Sequence, residues 1–265
     1  MRAFTVSVAG QRLNVAIRAP RGGVAQPSLL LMNGIGARLE LLDPFVDALD
    51  PAIGVIRFDV PGVGGSPTPV LPYRVSCLAM LVRRLLDALG QRRVDVLGMS
   101  WGGALAQQFA VQYRSRSRRL VLVSTSVGAL MVPGRPRVLA RLATPRRYAD
   151  PHYMAAIAAE IYGGPIDPVT ARGFAENTHS DSRRGYYYQL LAGVGWTSLP
   201  WLWSLRQRTL IVAGDADPLV PVQNARLLRR LIPGSALHLF HGGHLGLVTQ
   251  AGELAPVIAR FLTGE

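Results

Sequence analysis

The sequence predicts an α/β fold, with a mostly parallel, doubly wound sheet and a helical cap inserted after the sixth strand. Three observations predict it. Short apolar runs without internal alternation recur along the 265 residues, as suits strands buried on both faces. Amphipathic segments alternate with those runs from Leu29 onward. The rhythm breaks between about 127 and 206 and resumes at Thr209.

The N-terminal stretch MRAFTVSVAGQRLNVAIR alternates apolar and polar residues. It reads as a strand, a turn and a second strand in an antiparallel hairpin, not as a signal peptide. The next strands are LLLM (29–32), GVIRFD (54–59), VDVLGM (94–99) and RLVLVS (119–124), with helices at about 39–49, 74–89 and 102–113 between and after them. Cys77, the single cysteine, falls in the second of these helices. It excludes an internal disulfide and is expected to be a packing residue. In the segment 127–206 prolines, arginines and aromatics mix with short helical stretches such as PHYMAAIAAEIY. The segment holds Trp196, Trp201 and Trp203 and six of the eight tyrosines. It is expected to be a cap on a core domain made of 1–126 and 207–265. The sheet then closes with TLIVA (209–213) and ALHLF (236–240), followed by helices at about 222–232 and 250–262, respectively.

The formal charge is +13, and all 29 basic residues are arginine. A charge of this size fits an anionic partner, or equally an arginine-rich surface in water. The arginines are scattered, which favours the second reading. Two clusters, RSRSRR (114–119) and RPRVLARLATPRR (135–147), stand out. No zinc-finger spacing or aromatic RNA-binding motif accompanies them, so no nucleic-acid partner is expected. No apolar run reaches the roughly 18–20 residues of a membrane span. A cytoplasmic protein is expected.

The stretch GMSWGG (98–103) carries the chemistry. A serine on a tight strand-to-helix turn needs small neighbours, and the helix N-terminus beside it favours negative charge. A serine hydroxyl needs a base, and the base an orienting acid. VAGDADPLVP and FHGGHLGLV follow the last two strands, so the acid is Asp215 or Asp217 and the base His241 or His244. His238 alternates within a strand and is read as structural. GIGARL lacks a dinucleotide fingerprint, a chain without lysine has no P-loop, and His241 with His244 lacks further metal ligands. No cofactor and no metal are expected.

Over essentially its whole length the chain resembles the α/β-hydrolases, through NGIGA, FDVPGVGGS, GMSWGG, GDADPLVP and GGHLGLV. The resemblance implies Ser100 as nucleophile. It implies Asp217 as acid, since Gly214, Asp217 and Pro221 fit the family's acid loop, and His244 as base. Asp215 is left to shape the turn, and His241 is the second choice of base. The oxyanion hole would be the backbone N–H groups of Trp101 and Ile35, with Asn33 standing where the family often has histidine. A closer resemblance, from the third strand to the C-terminus, is to intracellular depolymerases of medium-chain-length polyhydroxyalkanoates. It is carried by the stretch from LLLMNGIGARLELLDPF to VLPYR, by MSWGGALAQQFA, and by GYYYQLLAGVGWTSLPWL. It implies hydrolysis of a polyester to 3-hydroxy acids, with the storage-granule surface as a further partner. Trp196, Trp201 and Trp203 are expected to wall the acyl site. The alternatives are a general carboxylesterase, lactonase or thioesterase with the same residues, and a silent relative that binds without turnover.

Overall fold

The apolar runs lie side by side in one sheet. The computed structural model describes residues 3–22, 26–143, 150–164, 166, 170, 172–173 and 182–264. Its strands are β1 (Ala3–Val8), β2 (Gln11–Arg18), β3 (Leu29–Met32), β4 (Val55–Phe58), β5 (Val94–Met99), β6 (Ser117–Val123), β7 (Arg208–Gly214) and β8 (Ala236–Phe240). They are ordered β1-β2-β4-β3-β5-β6-β7-β8. β2 is antiparallel to both β1 and β4, and every later pairing is parallel.

The helices are α1 (Asp43–Ala48), α2 (Val75–Ala88), α3 (Trp101–Gln112), α4 (Pro136–Ala143), α5 (Pro151–Tyr162), α6 (Arg183–Gly193), α7 (Val222–Leu231), α8 (Gly246–Thr249) and α9 (Ala251–Thr263). Leu29 and Leu31 of β3 face a cluster with Phe45 of α1 and Ile258 of α9. Leu30 and Met32 face the opposite cluster, with Leu85 of α2 and Phe109 of α3. Both faces of the sheet are therefore covered at its centre, which is why β3, β4 and β5 are buried throughout.

Two expectations change. The helix expected at 39–49 is a 3₁₀ turn, Leu39–Leu42, followed by α1. Pro44 lacks an N–H and sits in the first turn of the new helix, where none is needed. The buried Arg57 guanidinium pins the junction, 2.9 Å from the Leu39 carbonyl and 2.5 Å from Asp43. Cys77 is exposed and is not a packing residue. The buried stripe of α2 is Val75, Leu78, Ala79, Val82, Leu85 and Leu86, and at 3.6 residues per turn Cys77 falls off it.

Between β6 and β7 the chain leaves and rejoins the sheet through a narrow neck. Gly128 bridges Thr197 in antiparallel fashion. Ala129 N–H donates to Trp196 O at 2.8 Å and Ser198 N–H to Val127 O at 2.9 Å. The buried Asn224 of α7 clamps the segment from the sheet side, exchanging two 2.9 Å bonds with the main chain of Val132. Met154, Ile157 and Ile161 of α5 join the first core cluster. α6 seats its first turn on the loop after β4, where a Cβ on Gly185 would lie 2.1 Å from Gly62 O.

The cluster at 114–119 is consumed by the scaffold. Arg116 pairs with Asp87 at 2.6 Å and Arg118 with Asp95 at 2.5 Å. Arg114 donates to Ser204 Oγ at 3.0 Å, and Arg119 reaches the Leu262 carbonyl. These residues lie at the amino end of β6, the end of the sheet away from Ser100.

Candidate active site

The strand order reverses at β3, which lies between β4 and β5. Crevices open beyond the carboxyl ends of strands at such a point. Met32 is paired with Gly98 there, so the loops after β3 and β5 meet. A Cβ on Gly34 would lie 3.6 Å from Ser100 Cβ.

Ser100 has φ 54° and ψ −121°, a conformation rare for a residue with a side chain. The flanking glycines make the turn possible. A Cβ on Gly98 would lie 2.4 Å from Gly102 O, and one on Gly102 would lie 2.1 Å from Met32 O. The sharp turn lets α3 start at Trp101 and leaves Ser100 Oγ above the sheet. Thr125, just past β6, donates its hydroxyl to Ser100 O at 2.7 Å and steadies the turn.

The loops after β7 and β8 bring the next two groups. His244 Nε2 is 2.9 Å from Ser100 Oγ, and His244 Nδ1 is 2.7 Å from Asp217 Oδ2. Asp217 Oδ1 accepts from the N–H groups of Leu219 and Val220, both at 2.9 Å. His244 and Asp217 are buried. His244 N–H donates to Tyr162 O at 2.6 Å, and the Tyr162 ring stacks on the imidazole. With a proton on Nδ1 donated to Asp217, Nε2 is the acceptor for the Ser100 hydroxyl.

Asp215 and His241 form a second pair, 3.0 Å apart, on the surface. The hydrogen bond from His241 holds the Asp215 carboxyl below its ordinary range, and the same bond raises the His241 imidazole. Asp215 also accepts from Gly242 N–H at 3.1 Å, tying the two loops together. His238 lies on β8. Neither His238 nor His241 borders the cavity described below.

The loop after β3 is held by its own side chain. Asn33 Nδ2 donates to Arg38 O at 2.6 Å, and Asn33 Oδ1 accepts from Gly34 N–H at 3.1 Å. The buried Asp59 accepts from Leu39 N–H at 2.7 Å, Gly65 N–H at 2.9 Å and Asn14 Nδ2 at 2.8 Å. Burial pushes the Asp59 carboxyl up, against these hydrogen bonds. Ile35 and Trp101 both border the cavity, and the first N–H groups of a helix such as α3 lack partners within it.

That cavity has a volume of about 910 Å³ and reaches Ser100 and His244 at its floor. Its walls are apolar, with Met99, Met131, Leu139, Tyr186, Leu190 and Trp196 prominent. No Asp, Glu or Arg is among the described residues that line it. Trp196 donates its indole N–H to Gln108 at 2.9 Å. Trp201 stands edge-on to Trp196, behind the wall. Trp203 is not brought to the site: it is 65% exposed, and its indole N–H turns back to Pro200 O at 3.0 Å. The 3₁₀ turn Leu199–Ser204 buries Leu202 and points its neighbour outward. Tyr162 and Thr125 support the site and carry no sequence signal of it, whereas Asp59 and Gln189 fall within FDVPGVGGS and GYYYQLLAGVGWTSLPWL but are not singled out there as site residues. Among the described residues no group of three His, Cys, Asp or Glu side chains is placed to hold a metal ion.

Comparison with known proteins gives consistent relatives. Residues 27–251 match the family model described as the alpha/beta hydrolase fold. The chain is 51% identical over 263 residues to a poly(3-hydroxyalkanoate) depolymerase of Ectopseudomonas oleovorans, covering 98% of this chain and 92% of that one. It is 26% identical to 3-oxoadipate enol-lactonase 2 of Acinetobacter baylyi, over 86% of each chain. Among solved structures, the enol-lactonase from Burkholderia xenovorans LB400 superposes with a TM-score of 0.86 at 25% identity, covering 98% of this chain and 99% of that one.

Proposed function

The chain belongs to the α/β-hydrolase family, and from that membership we propose that it is a serine hydrolase that cleaves the ester bonds of medium-chain-length poly(3-hydroxyalkanoate). The observation that carries this reading is the line Asp217–His244–Ser100, 2.7 and 2.9 Å long, at the floor of a large apolar cavity. Identity of 51% to a poly(3-hydroxyalkanoate) depolymerase supports the choice of substrate. Apolar walls suit the alkyl side chains of such a polymer, each buried methylene being worth about 0.8 kcal/mol.

In the proposed mechanism His244 Nε2 takes the proton of Ser100 Oγ as the oxygen adds to the ester carbonyl. The N–H groups of Ile35 and Trp101 hold the oxyanion. His244 returns the proton to the leaving alkoxide, leaving an acyl-serine. Water, deprotonated by His244, then attacks the acyl carbon and releases a 3-hydroxy acid and Ser100. Asp217 keeps the histidine in the tautomer that can accept and steadies the imidazolium. No cofactor enters these steps.

The segment 127–206 acts in this proposal as a cap over the core formed by 1–126 and 207–265, its Trp196 forming the acyl wall. By its likeness to intracellular depolymerases the enzyme is taken to work in the cytoplasm at the granule surface. No helix among the described residues is long and apolar enough to cross a membrane. An apolar rim supports work at a surface: Leu139 and Leu190 both line the cavity and face solvent, and Leu130 and Val194 are 64% and 75% exposed nearby. Arg137 and Arg141 of α4 share Glu160 at 2.8 and 2.9 Å, which leaves one net positive charge beside that rim.

The test is incubation of the purified protein with amorphous medium-chain and short-chain polyester granules, with identification of the released acids. Release of medium-chain 3-hydroxy acids by the unaltered protein and none by Ser100→Ala is expected. Turnover of small esters alone would make it a general esterase. Granule co-sedimentation should survive high salt and the triple change of Arg135, Arg137 and Arg141 to Gln. Loss in either case would assign the contact to charge.

A further inference from the structure

α6 carries one polar side chain into the interior, Gln189, which is 1% exposed. Its Oε1 accepts from Gly36 N–H at 2.8 Å. Its main-chain oxygen accepts from the Trp101 indole N–H at 3.0 Å. Its Nε2 is buried without a partner among the described residues. A buried amide donor left unpaired is unfavourable, so as packing alone a glutamine is inferior to a methionine of the same shape. The gain lies in what Oε1 holds.

Gly36 follows Ile35, so a bond to Gly36 N–H fixes the peptide plane on the carboxyl side of Ile35. Asn33 fixes the turn on the amino side through its bonds to Gly34 N–H and Arg38 O. The plane that carries the Ile35 N–H is held between the two. The other bond from Gln189 reaches Trp101, whose N–H is the second donor of the proposed hole. α6 is a firm base for both contacts. Ser182 at its N-terminus is 2.6 Å from Thr68 Oγ1, and Tyr188 donates to Val70 O at 3.1 Å.

We propose that Gln189 is a positioning residue for the oxyanion hole, tying the loop that carries Ile35 and the helix start that carries Trp101 to α6. The hole then has its working geometry only while α6 is seated. This inference rests on the ester-hydrolase reading above.

Two variants test it. Gln189→Met keeps the shape and removes the acceptor, whereas Gln189→Glu keeps an acceptor for Gly36 N–H. The readouts are kcat and KM on p-nitrophenyl octanoate, affinity for an alkyl trifluoromethyl ketone that adds to the serine, and active sites titrated with a fluorophosphonate. Gln189→Met should lower kcat per titrated site roughly tenfold to a hundredfold. Ketone affinity should fall by a similar factor, with KM and acyl-length preference unchanged. Gln189→Glu should recover part of the loss at acidic pH, where its buried carboxyl is neutral and still accepts from Gly36 N–H, and lose it again as the carboxyl ionises. Trp101→Phe, which removes the indole donor to the Gln189 main-chain oxygen together with part of a ring that borders the cavity, should lower kcat several-fold and tests that tie alone. If Gln189→Met does not fold, Gln189→Leu takes its place with the same expected loss. Values of kcat per site and ketone affinity within twofold of the unaltered protein would overturn the proposal, as would a change confined to acyl-length preference. An unaltered protein with neither turnover nor ketone binding would remove the ester-hydrolase reading and this inference with it. A silent Gln189 in an active enzyme removes only this inference.

Discussion

Replacing Asp217 by Asn should lower kcat by roughly four orders of magnitude, whereas Asp215→Asn should cost less than about threefold. The first figure follows from what Asp217 accepts. Oδ1 takes the N–H groups of Leu219 and Val220, and Oδ2 faces His244 Nδ1. An amide has one oxygen for these two sites. If it faces the two backbone donors, its NH2 faces Nδ1 and drives the imidazole proton to Nε2, where it cannot accept from Ser100. If it faces Nδ1, the NH2 is pressed against two N–H groups. Two donors against one select the first arrangement, the inactive tautomer. Four decades correspond to about 5 kcal/mol of transition-state stabilisation. Asp215 and His241 are largely in water, with side chains 46% and 95% exposed, so their pair is screened and touches no reacting atom. The assay is kcat on p-nitrophenyl octanoate per fluorophosphonate-titrated site, with thermal melts to verify folding. Equal losses at the two positions, or a larger loss at Asp215, would refute the assignment and the tautomer argument together.

Ser100→Gly should abolish turnover and raise the melting temperature above that of Ser100→Ala by a few degrees, because only glycine relieves the strained φ of 54°. A glycine variant that melts below the alanine variant would show the turn to be unstrained. The His241 imidazole should titrate above its ordinary 6.5 by NMR and fall back in Asp215→Asn. Its contribution to stability is present below 6.5 and lost as pH rises through the raised value. The Asp215 contribution is present above 3.8 and lost as pH falls through the lowered value. The difference in thermal stability between the unaltered protein and Asp215→Asn should therefore be largest between those values and shrink as pH rises through the His241 value, and a difference that does not shrink there would contradict the ion pair. Trp196→Ala should weaken discrimination for longer acyl chains, by up to about fourfold per methylene left uncovered. Trp203→Ala should leave chain-length preference unchanged, and an equal effect of the two in esterase assays would place Trp203 in the wall.

The central strands were legible because a strand buried on both faces shows a short unbroken apolar run, as Leu29 to Met32 do. The elbow was legible for the same reason: Gly98 and Gly102 each face backbone where no Cβ fits. The choice of Asp217 over Asp215 and of His244 over His241 came from a family pattern. Local chemistry does not separate them, since each aspartate pairs with one histidine; burial and the 2.9 Å approach of His244 to Ser100 tell the pairs apart. Cys77 and Trp203 were misread because composition tells how apolar a segment is but not where its helix or turn points each side chain. Gln189 was invisible because its partners, Gly36 and Trp101, lie far away in sequence, across a neck whose placement no local pattern encodes.

The two ends of the sheet divide the charge between them. At the amino end of β6, Arg114, Arg116, Arg118 and Arg119 bind carboxylates, a hydroxyl and a helix-end carbonyl, so these guanidinium groups act as joints between elements. At the carboxyl end no Asp, Glu or Arg is among the described residues that line the cavity, and Leu139 and Leu190 of its wall face solvent, with the exposed Arg137 on the same helix as Leu139. An enzyme that works on a water-insoluble ester needs this arrangement. Desolvating a charged rim against a hydrocarbon-rich surface would cost more than the contact returns, whereas an apolar rim gains from the same contact. The arginines of 114–119 and the proposed chemistry thus lie at opposite ends of the sheet. Under the proposed function those four guanidinium groups serve the fold, and recognition of the substrate falls to the apolar walls of the cavity.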